Sequence, residues 1–217
     1  MKTKEIIKRY ILFVISLFFI GFGIALTKHA SLGVTPYSTV ANIVSIKFTR
    51  FSFGTWLIIS NYFLLVLQII ILGKNFKKIQ LLQIPLSLIY GYFTDFGVWI
   101  AQMIPADEYV VRVALVIIGT FVLGFGVTLS VVADVILNSA EAFVAAIAFV
   151  TKKDFGSVKV VFDISWVALS IVLSLVFFGG ALVGTREGTI ISAVLSGVAV
   201  KIFYPLVQKP LTKLLIK

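Results

Sequence analysis

Residues 9–30 read RYILFVISLFFIGFGIALTKHA, and residues 112–133 read RVALVIIGTFVLGFGVTLSVVA. The same residue type stands in both segments at Arg9/Arg112, Leu12/Leu115, Ile15/Ile118, Phe18/Phe121, Gly21/Gly124, Phe22/Phe125, Gly23/Gly126, Leu26/Leu129 and Ala30/Ala133. Each segment is apolar over about the 20 residues that a helix needs to cross a bilayer. The pattern therefore predicts one membrane-spanning helix that occurs twice in the chain.

The likeness between the two segments continues towards the carboxyl terminus. The corresponding positions are Phe53-Gly54 and Phe155-Gly156, Asn61 and Asp163, and Gly91 and Gly197. We therefore expect two halves of similar build, an internal repeat of about residues 6–104 and a second of about residues 110–206.

The composition excludes an ordinary soluble domain. Hydrophobic residues make up 60% of the chain and charged residues 13%, whereas soluble domains hold about 45–50% apolar residues. We predict an all-α membrane protein in which residues 1–217 form a single transmembrane domain. Six runs are long enough to cross the bilayer, at about residues 6–27, 55–72, 80–103, 110–132, 158–178 and 188–204.

Two further segments, about residues 36–48 and 139–150, have a helical pattern but are too short to cross. A helix of about 13 residues covers only about 20 Å of the roughly 30 Å of hydrocarbon. We therefore predict that each enters and leaves the membrane on the same side, as a re-entrant helix. Three spans then belong to each half, and because three is odd, the two repeats are inverted relative to each other.

The basic residues support this topology. With re-entrant short helices, the amino terminus, Lys74–Lys78, Lys152-Lys153 and the basic carboxyl-terminal tail all lie in the cytoplasm, as the positive-inside rule requires. A smaller set of basic residues is left outside, against that rule: Lys28, Lys47 and Arg50.

Several short motifs of the chain follow a known pattern. They are GFGIAL at residues 21–26, ASLGVTPY at 30–37, FGTW at 53–56, GYFTDF at 91–96, GTI at 188–190 and FYP at 203–205. Together they resemble the YczE/YyaS/YitT family of bacterial integral membrane proteins. This resemblance covers nearly the whole chain and implies a multi-pass protein of the bacterial cytoplasmic membrane, in a largely uncharacterised family that is often labelled a transporter. It implies no particular catalytic or ligand-binding residue.

The first short helix predicts a substrate site. Pro36 presets a helix start, and the polar residues Thr35, Ser38 and Asn42 lie at or near one face of the helix that follows. A helix start buried in the membrane presents unpaired N–H groups and about half a positive charge, which favour an anion or a carbonyl group. The alternative is that the hydroxyl groups cap this helix and bind neighbouring helices.

The second short helix begins with Asn138, Ser139, Ala140 and Glu141. We expect Asn138 and Ser139 to line a substrate site and the Glu141 carboxylate to bind a proton or a cation. The spacing also fits a capping box, in which Asn138 caps the helix and Glu141 reaches back to it.

Three polar residues fall within predicted spans, where a charge costs about 2.5–3.5 kcal/mol or more. We expect Asp95 and Asp163 to couple transport to a proton or cation, and Asn61 to bind substrate near the midplane. For Asp95 the alternative is compensation by a hydroxyl group such as that of Thr94 or Tyr92. For Asp163 the alternative is a local ion pair with Lys159, four residues earlier.

Two other groups of residues have structural interpretations. Lys28 and His29 end the first span, and we expect Lys28 to extend its side chain to the lipid headgroups. The small residues Gly21, Gly23, Gly124 and Gly126 are predicted to pack the first span against the fourth.

Several classes of function are excluded by residue content. The chain contains no cysteine and one histidine, and it lacks a nucleotide-binding loop. We expect no metal site, no cofactor and no enzymatic activity. The net charge of +10 is spread over the loops, so we expect the lipid bilayer, and no nucleic acid, as its partner.

The leading prediction is a permease for a small molecule or an ion. Its site would lie at the midplane between the two repeats. The alternative is a non-transporting accessory or substrate-binding subunit, and association with a second copy or a partner subunit stays open.

Overall fold

The computed structural model describes residues 3–216, which form eight α-helices and no strand. The helices are α1 (Thr3–His29), α2 (Thr39–Lys47), α3 (Phe53–Leu72), α4 (Gln83–Ala101), α5 (Tyr109–Ala133), α6 (Ser139–Thr151), α7 (Phe155–Phe177) and α8 (Glu187–Ile216). Three 3₁₀ turns stand beside them, at Pro36–Ser38, Gly73–Asn75 and Lys78–Leu82. Six helices, α1, α3, α4, α5, α7 and α8, are long and apolar enough to cross a membrane, which confirms the predicted all-α fold.

Polar side chains define where several helices begin. Ser52 caps α3, since its hydroxyl oxygen accepts a hydrogen bond from the Thr55 N–H at 3.0 Å. Asp154 caps α7 and accepts from the Ser157 N–H at 2.8 Å. Hydrogen bonds from Ser157 hold the pKa of Asp154 below its ordinary value. Both caps stand directly before the corresponding Phe-Gly pairs, so the two halves start this span in the same way.

The last helix is longer than its sequence pattern predicted. The pattern placed the end of the sixth span near residue 204, but α8 continues through Pro205 and Pro210 to Ile216. A proline removes only its own N–H donor, so a helix that is otherwise well packed continues past it with a bend. The end of α8 packs on the start of α1, where Lys8 Nζ donates to the Leu214 carbonyl at 3.1 Å. The two ends of the described chain therefore lie on the same face of the bundle.

The centre of the bundle is the contact between α1 and α5, the two copies of the repeated segment. These helices run antiparallel: Arg9 Nη1 near the start of α1 donates to the Ala133 carbonyl at the end of α5, at 3.0 Å. At their crossing, a Cβ added to Gly23 would lie 2.5 Å from the Gly119 carbonyl oxygen and from the Leu123 nitrogen. Glycine is required there because the two backbones touch.

The prediction that all four repeated glycines join the first span to the fourth is therefore half wrong. Gly23 and Gly126 do so, since a Cβ on Gly126 would lie 2.7 Å from the Ile20 nitrogen. Gly21 instead faces Thr94 on α4, and Gly124 faces Ala199 on α8. Residues two apart on a helix point to different sides, so the two glycines of each helix pack against two different neighbouring helices.

The outer long helices follow consistent directions. On α4, Phe93 contacts Phe18 edge to face at 5.5 Å between ring centroids, and Gly97 packs against Ala25, so α4 runs parallel to α1. In the same way Thr120 and Ser192 share a hydrogen bond of 3.0 Å, and α8 runs parallel to α5. Tyr62 of α3 reaches the Ile84 carbonyl of α4 while Gln68 reaches Gln83, so α3 is antiparallel to α4.

The helix contacts repeat when the two halves are exchanged. α1 packs on α4 as α5 packs on α8, α2 packs on α7 as α6 packs on α3, and α2 packs on α3 as α6 packs on α7. The largest departure from this correspondence concerns α3 and α4. α3 and α4 are tightly packed, but α7 and α8 make almost no contact with each other within residues 3–216.

The repeated glycines mark this difference between the halves. A Cβ on Gly54 would overlap the Gly91 carbonyl oxygen, and a Cβ on Gly91 would overlap the Ile58 side chain. The corresponding glycine of the second half is open, because a Cβ on Gly197 would meet no atom of the described chain within 4 Å. The first half is thus closed between its second and third long helices, and the second half is open.

The loop before α2 is buried rather than exposed. Leu32 and Val34 are 1% and 0% exposed, and the Leu32 carbonyl accepts from the Gly188 N–H at the start of α8, at 2.8 Å. Gly33 has a φ of 106° and lies against Thr189. The left-handed backbone and this close approach both favour glycine at the position. The loop therefore anchors the entry to α2 on the second half of the chain.

Candidate functional site

The first turn of the Pro36–Ser38 segment lies deep inside the bundle. The Tyr37 hydroxyl donates to Asn61 Oδ1 on α3 at 2.5 Å, and its ring is stacked near Trp166 of α7 at 6.2 Å between centroids. Asn61 and Trp166 lie near the middle of their helices, whereas Phe48, at the other end of α2, contacts Phe177 at the end of α7. α2 thus runs from the interior of the bundle to its edge.

A group of polar and aromatic side chains surrounds Tyr37, and we call it the central cluster. It consists of Tyr37, Asn61, Tyr90, Glu141 and Trp166, which come from the 3₁₀ turn before α2 and from α3, α4, α6 and α7. Asn61 is 0% exposed and Tyr90 1%. The cluster therefore joins the two short helices and both halves of the chain.

The central cluster has hydrogen-bonding capacity that is not used. Seven buried side-chain atoms have no hydrogen-bond partner within residues 3–216, and four of them belong to this cluster. They are Asn61 Nδ2, Tyr90 Oη, Glu141 Oε2 and Trp166 Nε1. A buried polar atom without a partner costs about 1–3 kcal/mol. Such atoms gathered in one place indicate a site where another molecule supplies the partners.

Glu141 carries the carboxyl group of the central cluster. It lies near Lys159 and Asp163 on α7, and near Tyr37 and Tyr90. Lys159 and Asp163 form the predicted i, i+4 ion pair at 2.5 Å. The Lys159 ammonium also lies 5.6 Å from the centre of the Phe162 ring. Asp163 is paired with Lys159, so Glu141 is the carboxyl group beside the cluster that has no ion-pair partner among the residues described.

The capping box predicted at the start of α6 is not formed. Asn138 is the N-cap residue, but its amide oxygen accepts from the Ser139 N–H at 2.9 Å. A capping box would use the Glu141 N–H, two positions later. Glu141 Oε2 is buried and has no hydrogen-bond partner among the residues described.

Ser139 belongs to a second polar group, at the start of α6. Gln68 Nε2 donates to the Ser139 carbonyl at 3.1 Å, and Gln68 and Gln83 exchange hydrogen bonds of 3.1 and 3.3 Å. Both glutamines are buried. A narrow gap lined by Gln83, Asn138 and Ser139 lies beside them. This group fastens the start of α6 to α3 and α4.

Lys28 does not extend to the lipid headgroups, and that prediction is wrong. Its ammonium donates to Asn42 Oδ1 at 2.7 Å and to Ser45 Oγ at 3.1 Å, and lies 4.2 Å from the centre of the Phe53 ring. Asn42 in turn donates to the Gly184 carbonyl at 3.0 Å. Inside the bundle these acceptors replace water around the ammonium, so the side chain folds inwards rather than outwards.

Asp95 finds partners that its neighbours in the sequence did not suggest. Neither Thr94 nor Tyr92 compensates it, and Thr94 donates instead to the Tyr90 carbonyl. Asp95 Oδ1 accepts from the Gly54 N–H at 2.7 Å, and Oδ2 accepts from the Ser52 hydroxyl at 2.5 Å. The carboxylate thus lies at the amino-terminal end of α3, where the helix dipole favours a negative charge.

The residues predicted to bind substrate or to couple transport are therefore distributed over several places. Asn61 and Glu141 lie in the central cluster, and Asp163 lies beside it. Thr35 and Ser38 bind each other at 2.8 Å before α2. The others belong to the groups around Lys28, Ser52 and Gln68: Asn42, Asp95, Asn138 and Ser139. No three His, Cys, Asp or Glu side chains of residues 3–216 are placed to hold a metal ion.

Sequence reasoning missed Tyr37, Tyr90 and Trp166. Tyr37 carried a signal, because it directly follows the proline that starts the short helix. Tyr90 and Trp166 lie in apolar spans, where a single aromatic residue is usually part of the packing. Their role depends on which side of the helix faces the bundle, and this is not encoded in the hydropathy of the span.

Replacing Tyr37 by phenylalanine removes the only hydrogen bond that the Asn61 side chain makes within the described chain. The substitution keeps the ring stacked on α7 but leaves the buried Asn61 amide with no partner, at a cost of about 1–3 kcal/mol. We expect a lower melting temperature in detergent. The double variant with Asn61→Leu should recover part of the loss, because no polar group then stays unpaired; an additive loss would contradict the assignment.

The model of the family of unknown function DUF6198 matches residues 7–205. The chain belongs to this family. The match covers all six long helices and both short ones, so the architecture described above is that of a DUF6198 protein. The match does not confirm the resemblance to the YczE/YyaS/YitT family, which stays a prediction. Comparison with curated proteins and with solved structures gives no match.

Proposed function

We propose that this DUF6198 protein is a membrane permease for a small molecule or ion, with the central cluster as its substrate site. The observation that carries the proposal is the set of unpartnered polar atoms on Asn61, Tyr90, Glu141 and Trp166, buried between the two halves. Transporters bind substrate at such a position, between repeats and next to the ends of discontinuous helices. The permease would lie in a bacterial cytoplasmic membrane with both termini in the cytoplasm.

The inverted repeat of this proposal is supported by the helix directions. α1 and α5, which are copies in the sequence, run antiparallel and touch at Gly23. α1 is parallel to α4, and α3 is antiparallel to α4. α2 therefore connects two antiparallel long helices, as a re-entrant helix does when it enters and leaves on one side. α6 contacts α3 and α7 as α2 contacts α7 and α3. The same argument therefore supports a re-entrant α6.

The difference between the halves supports alternating access. Two inverted repeats of similar sequence can each adopt a closed or an open arrangement of their helices. During transport, the repeat that was closed opens and the repeat that was open closes. In this structure α3 and α4 are closed around Gly54 and Gly91, while the space beside Gly197 is open. In the second state α7 and α8 would close around Gly156 and Gly197, and α3 and α4 would separate.

The absence of native cysteine makes disulfide trapping a direct test. A Cβ on Gly91 overlaps the Ile58 side chain, so Ile58→Cys with Gly91→Cys should form a disulfide in the present state. The corresponding pair in the second half is Val160→Cys with Gly197→Cys. We expect this second pair to cross-link only when α7 closes on α8, and either disulfide to abolish transport in proteoliposomes until it is reduced.

The matched control is Val161→Cys with Gly197→Cys. Val160 and Val161 are both exposed, at 57% and 64%, but they point about 100° apart around α7. If the Val160 pair forms no more disulfide than the Val161 pair, the proposed closure of the second half does not occur and the permease mechanism is rejected.

A non-transporting subunit is the competing hypothesis. α7 and α8 expose large apolar side chains such as Ile164, Ile190 and Val194, on which another membrane protein would fit. This hypothesis predicts a stoichiometric partner on purification and no flux by the isolated protein, with or without reduction of the engineered disulfides.

A further inference from the structure

The charges around the central cluster do not balance. Glu141 is the only carboxylate among them that lacks a salt-bridge partner in residues 3–216, because Asp163 is paired with Lys159. The positive charge that acts on Glu141 is that of Lys159, which is already paired with Asp163. A carboxylate in this position favours a ligand with one positive charge, since an unpaired charge away from water is costly.

The side chains around Glu141 favour an ammonium group over a metal ion. Hard metal cations require about six or more oxygen ligands, whereas the cluster offers the oxygens of Glu141 and Tyr90 beside the stacked rings of Tyr37, Phe162 and Trp166. Aromatic faces attract ammonium cations within about 6 Å. A protonated amine can also donate hydrogen bonds to the free oxygens of Glu141 and Tyr90.

An ammonium group already lies next to the cluster, on Lys159. It is 2.5 Å from the Asp163 carboxylate and 5.6 Å from the centre of the Phe162 ring, and its charge interacts with Glu141. Glu141 is likewise a carboxyl group near Tyr37, whose ring is stacked near Trp166. The chain thus carries an example of the chemistry that this part of the bundle accommodates.

Two of the unpartnered atoms are N–H donors that no amine can satisfy. Asn61 Nδ2 and Trp166 Nε1 require an acceptor, and both belong to side chains that contact Tyr37. A ligand that forms a hydrogen bond with every unpartnered atom of the cluster therefore carries an acceptor, such as a carboxylate, in addition to its ammonium group.

We infer that the central cluster binds a small organic molecule through a protonated amine placed at Glu141, with a hydrogen-bond acceptor of the molecule facing Asn61 and Trp166. This inference rests on the proposed function and names the substrate class for the same site. Simple amines and amino acids share the ammonium group, and the experiment below separates them.

Trp166 provides the signal for a binding experiment with the purified protein. The chain contains three tryptophans, so replacing Trp56 and Trp99 by phenylalanine leaves Trp166 as the only one. Norleucine, pentylamine and hexanoate form a matched set, because the second lacks the carboxylate of norleucine and the third lacks its amine. We expect norleucine and pentylamine, but neither hexanoate nor sodium chloride, to change the Trp166 emission in a saturable way.

The relative affinities identify the source of the ammonium group. Norleucine binding tighter than pentylamine supports both parts of the inference, the amine at Glu141 and the acceptor at Asn61 and Trp166. Equal binding supports the amine at Glu141 and overturns the acceptor. Saturable binding of hexanoate as tight as that of pentylamine, a response to sodium chloride alone, or no response to either amine would overturn the inference.

Two substitutions are expected to act in opposite directions. Glu141→Gln keeps the shape of the side chain but removes its charge, and should weaken amine binding about tenfold or more. Lys159→Gln removes the competing ammonium and frees Asp163, and should tighten binding. Unchanged affinity in Glu141→Gln contradicts the inference, and the opposite sign for Lys159→Gln provides a second test if Glu141→Gln does not fold.

The amine-binding experiment and the disulfide experiment test separate claims. If the Val160–Gly197 disulfide forms and blocks transport while no amine binds, only the ammonium inference fails. If amines bind but the disulfide never forms, the permease mechanism fails and the binding site remains.

Discussion

Gly23→Val is expected to prevent most of the protein from folding into a stable bundle. A Cβ at this position would lie 2.5 Å from the backbone of α5, at the Gly119 carbonyl oxygen and the Leu123 nitrogen. Backbone atoms cannot rotate away as a flexible side chain can, so α1 and α5 must separate along their whole contact. We expect a loss of about 3 kcal/mol or more. This corresponds to a fall of roughly 6–12 °C in the apparent melting temperature.

The measurement is the fraction of protein that elutes as a single peak from size-exclusion chromatography after heating in detergent. Gly197→Val is the matched control, because the same substitution there meets no atom of residues 3–216 within 4 Å. It should change stability by no more than about 0.5 kcal/mol. Equal stability of the two variants would mean that the α1–α5 crossing is not the centre of the fold.

Asp95→Ala is expected to have the second-largest effect, by separating α3 from α4. The substitution removes the acceptor of the Gly54 N–H and of the Ser52 hydroxyl, which bind the carboxylate at 2.7 and 2.5 Å. It also removes a negative charge from the start of α3. Loss of hydrogen bonds to a charged group in a partly buried place costs about 3 kcal/mol. Thermal unfolding in detergent measures this loss of stability.

Asp95→Asn separates this structural role from the predicted coupling role. Its side-chain oxygen still accepts from the Gly54 N–H, so we expect it to lose less than half as much stability as Asp95→Ala. If Asp95 takes part in coupling, Asp95→Asn alters the pH dependence of transport in proteoliposomes even though the protein is folded. If transport and its pH dependence stay intact, the coupling role fails and the anchoring of α3 is its whole function. Asp95→Ala with unchanged stability would contradict the anchoring role.

The number of long apolar helices could be predicted from the sequence because it depends on local properties. A run of apolar residues is long enough to cross the bilayer whatever its neighbours are. The end of α8 was misjudged for the same reason. Its last turns, beyond Pro205, are held by packing on α1 near Lys8, a contact between residues about 200 positions apart.

The candidate site could be predicted only in part. Asn61 was singled out because a polar residue is costly inside an apolar span, and Glu141 because it stands at the start of the second short helix. Asp163 was found in the same way as Asn61, and its ion pair with Lys159 followed from helical spacing alone. Tyr37 and Trp166 do not stand out by polarity, since aromatic residues are common in spans, and they joined the site only when α2 was placed against α7.

The sequence by itself determined that this chain forms six long apolar helices and two short ones, because hydrophobic length is a property of each segment alone. Only the tertiary structure decided that Asp95 binds the start of α3, that Lys28 turns inwards, and that the second half is open where the first is closed. These features depend on which helix faces meet and how closely two backbones approach. Residues far apart in the chain jointly set that distance, so no segment encodes it alone.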